Sequence, residues 1–434
     1  MTGTRQKAGL RNLIRQSREL LRFLRAVDVA QEVNGVIARS EAGQHHREAA
    51  LHALRTDLDA TKGNLEAWQR DTDAALRCLC SDIAVSRVDF PAPALPAGFR
   101  TIEIADGEDK SNFLLVVADP PTQFDELVIP QRNVSPLAVL LKKTLNGTGT
   151  LLDIGAHIGT IALPVAAAGS RVVAIEMNPV NCLRLIYGAI VNRLRNFRVV
   201  PFAASDFDGM AAFAGTDAWG YISKEAAALP TMCARLDTLA YSLQLGSEGA
   251  SLAEPVAMKI DVEGHELQVL RGCPILLRQY RPIVIFESKE IEGWPDAGPP
   301  LISGETRATK QLLVDMGYSL YRIDWLIGLL VPRSSNDVQE GCVSDFLAVP
   351  IEKAALVHRL GMPVRPLSSS ERLRSISEMA NWPEPPHQMH AAGVVLRLAA
   401  DEPEFAATAK PIIETLLTKP AVEALWPRLS QLLP

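Results

Sequence analysis

The sequence lacks the features that mark membrane-spanning, secreted and disulfide-stabilised proteins. No apolar run is long enough to span a bilayer, and the N-terminal residues do not contain the apolar core of a signal peptide. The six cysteines form no CxxC motif and no paired spacing, which argues against a disulfide framework or a cysteine-bound zinc site. We therefore expect a cytoplasmic protein without a transmembrane segment.

An excess of positive charge is also missing. The 434 residues contain 44 Lys and Arg against 50 Asp and Glu, which gives a formal net charge of −6. Proteins that bind nucleic acid over a large surface need a surplus of basic residues, so the balance predicts no nucleic-acid partner. The length allows two or three domains.

Residues 1–95 have almost no strand signal and predict a helical segment. Apolar or small residues recur every three or four positions along this segment, which is the heptad pattern of a coiled coil. The positions are Leu51, Leu54, Leu58, Thr61, Leu65, Trp68, Thr72, Ala75 and Leu79. This pattern predicts a homo-oligomer that assembles through its N-terminal helices.

A first helix is predicted at roughly 8–40, and it has a basic flank beside its apolar stripe. The basic residues are Arg11, Arg15, Arg18, Arg22 and Arg25. Such a flank is compatible with peripheral contact with an anionic surface, such as anionic lipid. The simpler interpretation is a solvated flank that pairs with acids of a neighbouring helix, and we favour it.

Composition places two boundaries further along the chain. A proline-rich linker, "FPAPALPAG" (90–98), ends the helical segment. A leading β-hairpin at about 99–130 is predicted through Asp106-Gly107, and strands then alternate with helices as far as 350. Residues 96–350 are thus predicted to form an α/β domain, and residues 351–434 a C-terminal helical accessory domain for packing or assembly.

Residues 150–179, "TLLDIGAHIGTIALPVAAAGSRVVAIEMNP", predict a βαβ unit with a ligand site at its mouth. The first strand ends at Asp153, and Gly155 and Gly159 bracket a tight turn before the helix. Glycine is needed where the backbone turns sharply and a ligand must approach closely. The second strand ends at Glu176, which is placed to accept hydrogen bonds from ribose hydroxyls.

Two cofactors use this layout, and the details favour one of them. The dinucleotide fingerprint G-x-G-x-x-G fails at His157 and Thr160. Asp153 would repel a pyrophosphate but suits a cation, and S-adenosylmethionine carries a sulfonium and an ammonium. The motif therefore favours S-adenosyl-L-methionine, with a βαβ unit that binds nothing as the alternative.

Three pieces in this order carry a family resemblance: "DIGAHIG" (153–159), "AIEMNP" (174–179) and "KIDVEGHELQVLRG" (259–272). Over roughly 135–350 they resemble the FkbM family of S-adenosylmethionine-dependent methyltransferases. "RLDTL" (235–239) and "DFLAVP" (345–350) also resemble that family. The resemblance implies a class I methyltransferase (Rossmann-like) α/β fold with a seven-stranded sheet. Its last two strands, here 318–323 and 344–350, would form an antiparallel hairpin.

The resemblance also implies roles for individual residues. Asp153, Gly155 and Gly159 would form the cofactor loop, and Glu176 would hold the ribose. Two further residues that follow the third strand, Ser205 and Asp206, are candidates for the adenine edge. His157 occupies a position where the family often has Asn, and it is included among the cofactor-binding candidates.

The run "AMKIDVEGHEL" (257–267) raises a separate question, because two acids and a histidine follow a buried strand. Ligands bind beyond the carboxyl ends of such strands, so Asp261, Glu263 and His265 are predicted to reach the reaction site. Asp261 ranks first as the general base for its position, and His265 second for its unperturbed pKa near neutrality. Glu263 could instead cap the following helix, and His265 could be an exposed first-turn residue.

Two neighbouring residues complete the predicted site. Strand alternation places Lys259 on the same side as Asp261, opposite Met258 and Ile260. Glu287 ends the next strand, in "PIVIFES", and is predicted to face the same cleft and hold the acceptor. The acids could bind a divalent metal, but no second cluster of His or Asp supports one, so no metal is predicted.

Together these features predict an S-adenosylmethionine-dependent methyltransferase. Members of the family it resembles are mostly O-methyltransferases, so the expected acceptor is a hydroxyl on a sugar, glycan or natural product. One alternative is an NAD(P)-dependent oxidoreductase on a similar sheet. The other is a catalytically inactive assembly protein with a methyltransferase-like core.

Overall fold

The structure is a computed structural model of the chain, and it describes most of the residues after position 94. The described ranges are 95–106, 111–214, 221–223, 229–242, 256–288, 305–335, 345–382, 385–402 and 404–433. The predicted coiled coil, its self-association and the basic flank of the first helix all lie outside the described residues. No helix in these ranges is long and apolar enough to cross a membrane.

Fourteen strands are present in the described residues. In chain order they are β1 Phe99–Asp106, β2 Ser111–Ala118, β3 Thr150–Ile154, β4 Arg171–Ile175, β5 Phe197–Val200, β6 Ala203–Ala204, β7 Gly209–Ala214, β8 Tyr221–Ser223, β9 Leu229–Ala234, β10 Val256–Ile260, β11 Ile283–Glu287, β12 Tyr318–Asp324, β13 Leu329–Arg333 and β14 Asp345–Pro350.

Helices pack against these strands and form the C-terminal part of the chain. They are α1 Gln123–Gln131, α2 Pro136–Leu145, α3 Ala162–Ala167, α4 Pro179–Val191, α5 Leu236–Ser242, α6 Glu266–Arg271, α7 Pro274–Tyr280, α8 Glu305–Asp315, α9 Ala355–Arg359, α10 Ser369–Asn381, α11 Pro385–Asp401, α12 Phe405–Thr408, α13 Lys410–Leu416 and α14 Trp426–Ser430. Two 3₁₀ helices, Ile351–Lys353 and Pro420–Leu425, lie among them.

The central element is a mixed sheet of eight strands in the order β13-β12-β14-β11-β10-β3-β4-β5. The strands from β11 to β5 are mutually parallel, whereas β14 is antiparallel to both of its neighbours. The α/β class I methyltransferase architecture predicted from the sequence is confirmed. The carboxyl ends of the parallel strands share one edge, and this edge is where ligands bind in such sheets.

The sheet differs from the expected seven strands by one addition. Residues 318–323 and 345–350 do pair antiparallel, as predicted, but the chain between them is not a simple turn. It forms β13, which pairs with the opposite side of β12 and becomes the edge of the sheet. Pro332 lies within β13, and proline is tolerated in an edge strand because no neighbour needs its missing N–H.

Side chains along the central strands point alternately to the two faces of the sheet, so the core consists of two apolar layers. Met258 and Ile260 belong to the cluster on one face, and Ala257 belongs to the cluster on the other. Lys259 therefore emerges on the face opposite Met258, as the sequence predicted. Every residue of β3 is buried, which is expected for a central strand covered on both faces.

Three smaller units surround the central sheet. β1 and β2 pair antiparallel from Phe99↔Ala118 to Asp106↔Ser111, and α1 follows them within the range where the sequence predicted a hairpin. A four-stranded sheet has the order β6-β9-β7-β8. The helices from α10 onward enclose an apolar core of their own, which includes Ile376, Val395 and Ile413. Helix α9 instead packs against the central sheet through Val357.

Candidate active site

A cleft of about 600 Å³ lies at the carboxyl edge of the parallel strands. This volume is within the usual range for a small-molecule site, about 300–1,000 Å³. Its lining combines the loops after β3, β4 and β10 with parts of α1 and α2 and with the edge of the sheet near β12 and β14. The lining includes Phe124, Leu127, Ser135, Pro136, Leu137, Gly155, His157, Glu176, Asn178, Asn181, Phe202, Lys259, Asp261, Glu263, His265, Trp325 and Asp345.

The loop after β3 requires glycine for two reasons at once. Gly155 has a φ of +75°, and a Cβ added there would lie 1.9 Å from the carbonyl oxygen of Asp261. The backbone of the β3 loop thus passes directly against the loop after β10, which only glycine permits. Gly159 has a φ of +93° and packs beneath the cleft against Leu163 and Leu185.

Glu176 ties the β3 loop to the end of β4. Its Oε2 accepts a hydrogen bond from the His157 backbone N–H at 2.8 Å, and its Oε1 accepts one from the Asn178 N–H at 2.8 Å. A carboxylate has about four lone-pair directions, so both oxygens can still accept hydroxyl donors. Glu176 is buried and lines the cleft, which is the position predicted for a ribose-binding acid.

His157 lines the same wall in an unusual conformation. Its φ is +49°, a left-handed value that is uncommon for a residue with a side chain. The imidazole packs edge-on against Phe124 of α1, with the ring centroids 4.3 Å apart. The side chain thus contacts the helix that covers the cleft, while the backbone N–H contacts Glu176.

Lys259 is the buried cation of the site. Its Nζ donates to the Gly155 carbonyl oxygen at 2.8 Å and lies 3.4 Å from Asp153 Oδ1 and 3.3 Å from Asp261 Oδ2. Burial opposes its charge, but Asp261 and Asp153 outweigh that cost and raise the pKa of Lys259 above its usual value. The ammonium therefore stays protonated and holds both loops together.

Asp153 lies beneath the lining and is fully buried. Neither of its carboxylate oxygens has a hydrogen-bond partner among the described residues, and its one ion pair there is the 3.4 Å contact with Lys259. Burial raises the pKa of Asp153 to about 6, although Lys259 lowers it. A buried carboxylate with incomplete partners favours a nearby positive charge.

Three acids meet where the loop after β10 approaches the end of β11. One carboxylate oxygen each from Asp261, Glu263 and Glu287 lies within 4.8 Å of the others, a spacing that a cation could bridge. Asp261 and Glu263 line the cleft, whereas Glu287, the last residue of β11, is not among the lining residues, although the sequence predicted that it faces the cleft. Glu263 has a left-handed φ of +55°, so the loop after β10 is strained at its centre.

The two residues that the sequence suggested for the adenine edge, Ser205 and Asp206, do not line the cleft. The Ser205 side chain is buried, and its Oγ lies 3.0 Å from Nε2 of His265, which does line the cleft. Asp206 is exposed, and its Oδ1 lies 3.4 Å from Ser205 Oγ. Phe202, Ala203 and Ala204, just before Ser205, form the wall at this position.

The structure also contains site residues that the sequence analysis missed. Helix α6 begins at Glu266, and the Glu266 carboxylate accepts 3.2 Å hydrogen bonds from the N–H groups of Val262 and Gly264. Trp325 and Asp345 line the cleft from the β12–β13 turn and the start of β14. The sequence contained a signal for Asp345. A strand that runs antiparallel to the others starts at the edge where the parallel strands end, so an acid at its first residue is placed near the cleft.

The residues present fit S-adenosylmethionine. Gly155 leaves room for close backbone approach, and Glu176 is accessible from the cleft. Asp153, Glu176, Asp261, Glu263 and Asp345 outnumber the one lysine beside them, so the cleft suits a cationic ligand better than a pyrophosphate. The buried oxygens of Asp153, for which the described residues supply no hydrogen-bond donor, support the same conclusion.

Comparisons with known proteins agree with this chemistry. Residues 153–320 match the model of a family described as "Methyltransferase FkbM domain". No curated protein gives a significant match. The described edges of the cleft extend beyond the matched segment on both sides, to Phe124 and to Asp345.

Solved structures give more distant matches. The methyltransferase FkbM from Methylobacillus flagellatus is 15% identical, with 46% of this chain and 44% of that chain covered and a TM-score of 0.28. A SAM dependent methyltransferase from Agrobacterium tumefaciens is 11% identical, with 62% and 75% covered and a TM-score of 0.29. A T. Thermophilus 16S rRNA methyltransferase, in complex with AdoMet and guanosine, is 23% identical, with 27% and 34% covered and a TM-score of 0.20. The chain thus spans less than half the length of the first and third of these proteins.

Proposed function

We propose that the protein uses S-adenosylmethionine to methylate a hydroxyl oxygen of a sugar, glycan or natural-product acceptor. The match of residues 153–320 to the methyltransferase FkbM family model supports the proposal. The observation that carries the proposal is the junction of the β3 and β10 loops. There, Gly155, Lys259 and Asp261 bring the cofactor side of the cleft into contact with the acceptor side.

S-adenosylmethionine supplies an electrophilic methyl group on a sulfonium when it is bound. Glu176 would hold the ribose hydroxyls, because it lies at the end of β4 with both oxygens already oriented by backbone N–H groups. The β3 loop, from Asp153 to Gly159, would surround the amino-acid part. Phe202 and the two alanines after it would contact the adenine ring.

The acceptor side has the groups that a hydroxyl needs. Positioning two reactants is worth up to about 7–11 kcal/mol in favourable cases, so orientation is the main task of these side chains. Asp261, Glu263 and Glu287 can accept hydrogen bonds from neighbouring hydroxyls of one acceptor ring. Lys259 fixes Asp261 from below, and His265 is held by Ser205.

A carboxylate or imidazole near the attacking oxygen would take its proton, which contributes roughly 10²–10⁴-fold to such reactions. The sequence ranks Asp261 first and His265 second as the general base. Asp261→Asn should then retain cofactor binding and lose turnover. Loss of both activities together with a lower melting temperature would favour a structural role for Asp261.

Calorimetric titration of the full chain tests the cofactor half of the proposal. S-adenosylhomocysteine should bind, and Glu176→Ala should weaken binding by at least about tenfold, because hydrogen bonds to a charged group contribute roughly 1.5–3 kcal/mol each. Glu126→Ala, an exposed acid on α1, is the matched control and should bind normally.

The two alternative functions, an oxidoreductase and an inactive assembly protein, predict different results in the same titration. Binding of NADH without binding of S-adenosylhomocysteine would support the oxidoreductase. Binding of neither compound would support an inactive assembly protein.

A panel of methyl glycosides tests the acceptor half. Radiolabelled S-adenosylmethionine is offered with the methyl glycosides of common hexoses and deoxyhexoses, and NMR of the product identifies the methylated atom. A methyl ether supports the proposal. A methylated nitrogen or carboxyl group would contradict the proposed hydroxyl acceptor while leaving the methyltransferase itself in place.

A further inference from the structure

The first residue of β14 is an acid in the cleft that the reaction described above does not use. β14 runs antiparallel to β11, so Asp345 starts at the edge where β11 ends and pairs in register with Glu287. Asp345 is half-buried and lines the same cleft as Gly155 and Glu176. It is therefore a chemically competent side chain at the acceptor end of the site.

Asp345 has one dedicated partner. Trp325 lies in the turn between β12 and β13, and its indole Nε1–H donates to Asp345 Oδ2 at 2.6 Å. No described residue donates a hydrogen bond to Oδ1. A neutral donor fixes the orientation of the carboxylate without cancelling its charge, and the indole itself lines the cleft beside it.

This environment separates Asp345 from the two carboxylates that are paired with Lys259. Asp153 and Asp261 both contact the Lys259 ammonium, at 3.4 and 3.3 Å. Asp345 forms no ion pair with any residue in the described part of the chain. The acidic groups around it are Asp261 and Glu287, and Lys259 acts on it only through space.

The electrostatics agree with this geometry. Burial raises the pKa of Asp345 to about 6; the Trp325 hydrogen bond lowers it, and Asp261 raises it. A general base works best when its pKa lies near the working pH, because it is then mostly deprotonated but still binds a proton well. An unshifted aspartate, by contrast, is a weaker base at the same pH.

We propose that Asp345, oriented by Trp325, accepts the proton of the acceptor hydroxyl during methyl transfer. The acceptor oxygen forms a bond to the methyl carbon as the carbon–sulfur bond breaks, the electron pair of that bond stays on sulfur, and the proton passes to Oδ1 of Asp345. This inference rests on the proposed O-methylation. It leaves Asp261, fixed by Lys259, to bind and orient the acceptor.

The first test needs no acceptor, because Trp325 reports on its own partner. The chain has six tryptophans, so the signal of Trp325 is taken as the fluorescence difference between the wild type and Trp325→Phe from pH 4.5 to 8. We expect a transition near pH 6, absent from Asp345→Asn, which retains an oxygen for the indole N–H. Absence of the transition, or its persistence in Asp345→Asn, would overturn the proposal.

A matched tryptophan controls this experiment. Trp426→Phe should leave the transition intact, because the Trp426 indole donates to the backbone carbonyl of Leu416, which does not titrate. Loss of the transition in Trp426→Phe would show that the signal does not come from the Trp325–Asp345 pair, and would overturn the proposal.

The second test uses any glycoside of the panel that the wild type methylates. Asp345→Asn should lower kcat by about 10²–10⁴-fold, with the affinity for S-adenosylhomocysteine unchanged. The wild-type kcat/KM should rise with pH through about 6, and this rise should disappear in Asp345→Asn but return in Asp345→Glu, which keeps a carboxylate. Asp345→Glu should recover part of the rate. Normal turnover in Asp345→Asn would overturn the proposal.

The two experiments separate the possible failures. If S-adenosylhomocysteine binds but no glycoside is methylated, the acceptor class in the proposed function is wrong, and the fluorescence titration still decides on Asp345. If S-adenosylhomocysteine does not bind, the proposed function itself fails.

Discussion

Two of the buried charge clusters in the described residues differ in how completely the protein supplies their hydrogen-bond partners. Under α1, the guanidinium of Arg184 is paired with Asp125, and both side chains are almost completely buried. The remaining hydrogen-bonding capacity is used: Asp125 Oδ2 accepts from the N–H groups of Ala118 and Thr122 and from the Thr122 hydroxyl, and Arg184 Nε donates to the Val116 carbonyl.

At the cleft, Lys259 lies between Asp153 and Asp261 at longer distances, and the buried oxygens of Asp153 lack hydrogen bonds within the described residues. A buried charge is tolerated when every partner is supplied by the protein, as at Asp125. An incomplete set of partners costs stability and is retained where a ligand completes it. At the structural ion pair the protein supplies the hydrogen bonds, whereas at the cleft the missing bonds coincide with a cavity that a cationic ligand could enter.

The largest expected effect comes from breaking the structural pair. Asp125→Ala removes the carboxylate that faces the buried guanidinium of Arg184, and removing one partner of such a pair costs about 3–5 kcal/mol. Urea unfolding of the full chain should show a large fall in the midpoint. Glu126→Ala, one position along and exposed, should change stability by less than about 0.5 kcal/mol. Equal stabilities of the two variants would remove the distinction between the two charge sites.

Removing the cation of the cleft should cost less and should depend on pH. Lys259→Met leaves Asp153 without its counter-charge, but Asp153 already has a pKa of about 6 and can take up a proton instead. We expect a loss of roughly 1–3 kcal/mol at pH 8. The loss should shrink at pH 5, where Asp153 is mainly protonated.

Unfolding free energies at both pH values check this expectation. Lys353→Met is the matched control, because the Lys353 ammonium donates to the backbone carbonyls of Tyr280 and Arg281, which do not titrate. Its loss should therefore be similar at pH 5 and pH 8. A Lys259→Met loss that is equally independent of pH would contradict the role given to Asp153.

The smallest expected effect is a gain in stability. The pKa of Asp345 is raised from 3.8 to about 6, so the folded state binds the proton more tightly than the unfolded chain does. Stability due to this group is therefore highest below pH 4 and falls as the pH rises through 6. Asp345→Asn avoids that fall and should gain about 1 kcal/mol above pH 6, with no gain below pH 4.

Melting temperatures between pH 4 and pH 8 measure this gain. Glu352→Gln should show the opposite sign at pH 7, because Arg281 lowers the pKa of Glu352 to about 2 and its charge is stabilising there. A destabilised Asp345→Asn at pH 8 would indicate that the charge of Asp345 supports the fold. Equal melting temperatures of wild type and Asp345→Asn at every pH would indicate that burial does not shift the pKa of Asp345.

Much of the fold could be predicted because its signals are local. The alternation of apolar residues located β3, β4, β10 and β11, and the glycines located the first loop. Parallel strands end at a common edge, so the meeting of Asp153, Glu176 and Asp261 followed from chain direction alone. Strand β13 was missed because Pro332 interrupts its pattern, and only its edge position makes that proline acceptable.

The rest of the site depends on contacts that the sequence does not encode locally. The left-handed conformations of His157 and Glu263 are imposed by packing between loops a hundred residues apart, so no propensity indicates them. The Trp325–Asp345 hydrogen bond requires both the extra strand and the antiparallel start of β14. Ser205 was singled out for its position after β5, but its partner His265 is known only from the folded chain.

The position of β14 in the sheet has a consequence for the order of events during synthesis. β14 is the last strand of the sheet to leave the ribosome, yet it lies between β11 and β12, and its residues Phe346–Val349 are buried. Until it arrives, those two strands have no partner on their facing edges, and unpaired edges attract other chains. The nascent chain is therefore most exposed to misassembly while residues 318–344 are already made. The same six residues that complete the sheet also bring Asp345 to the cleft, so the cleft and the sheet are completed in the same step.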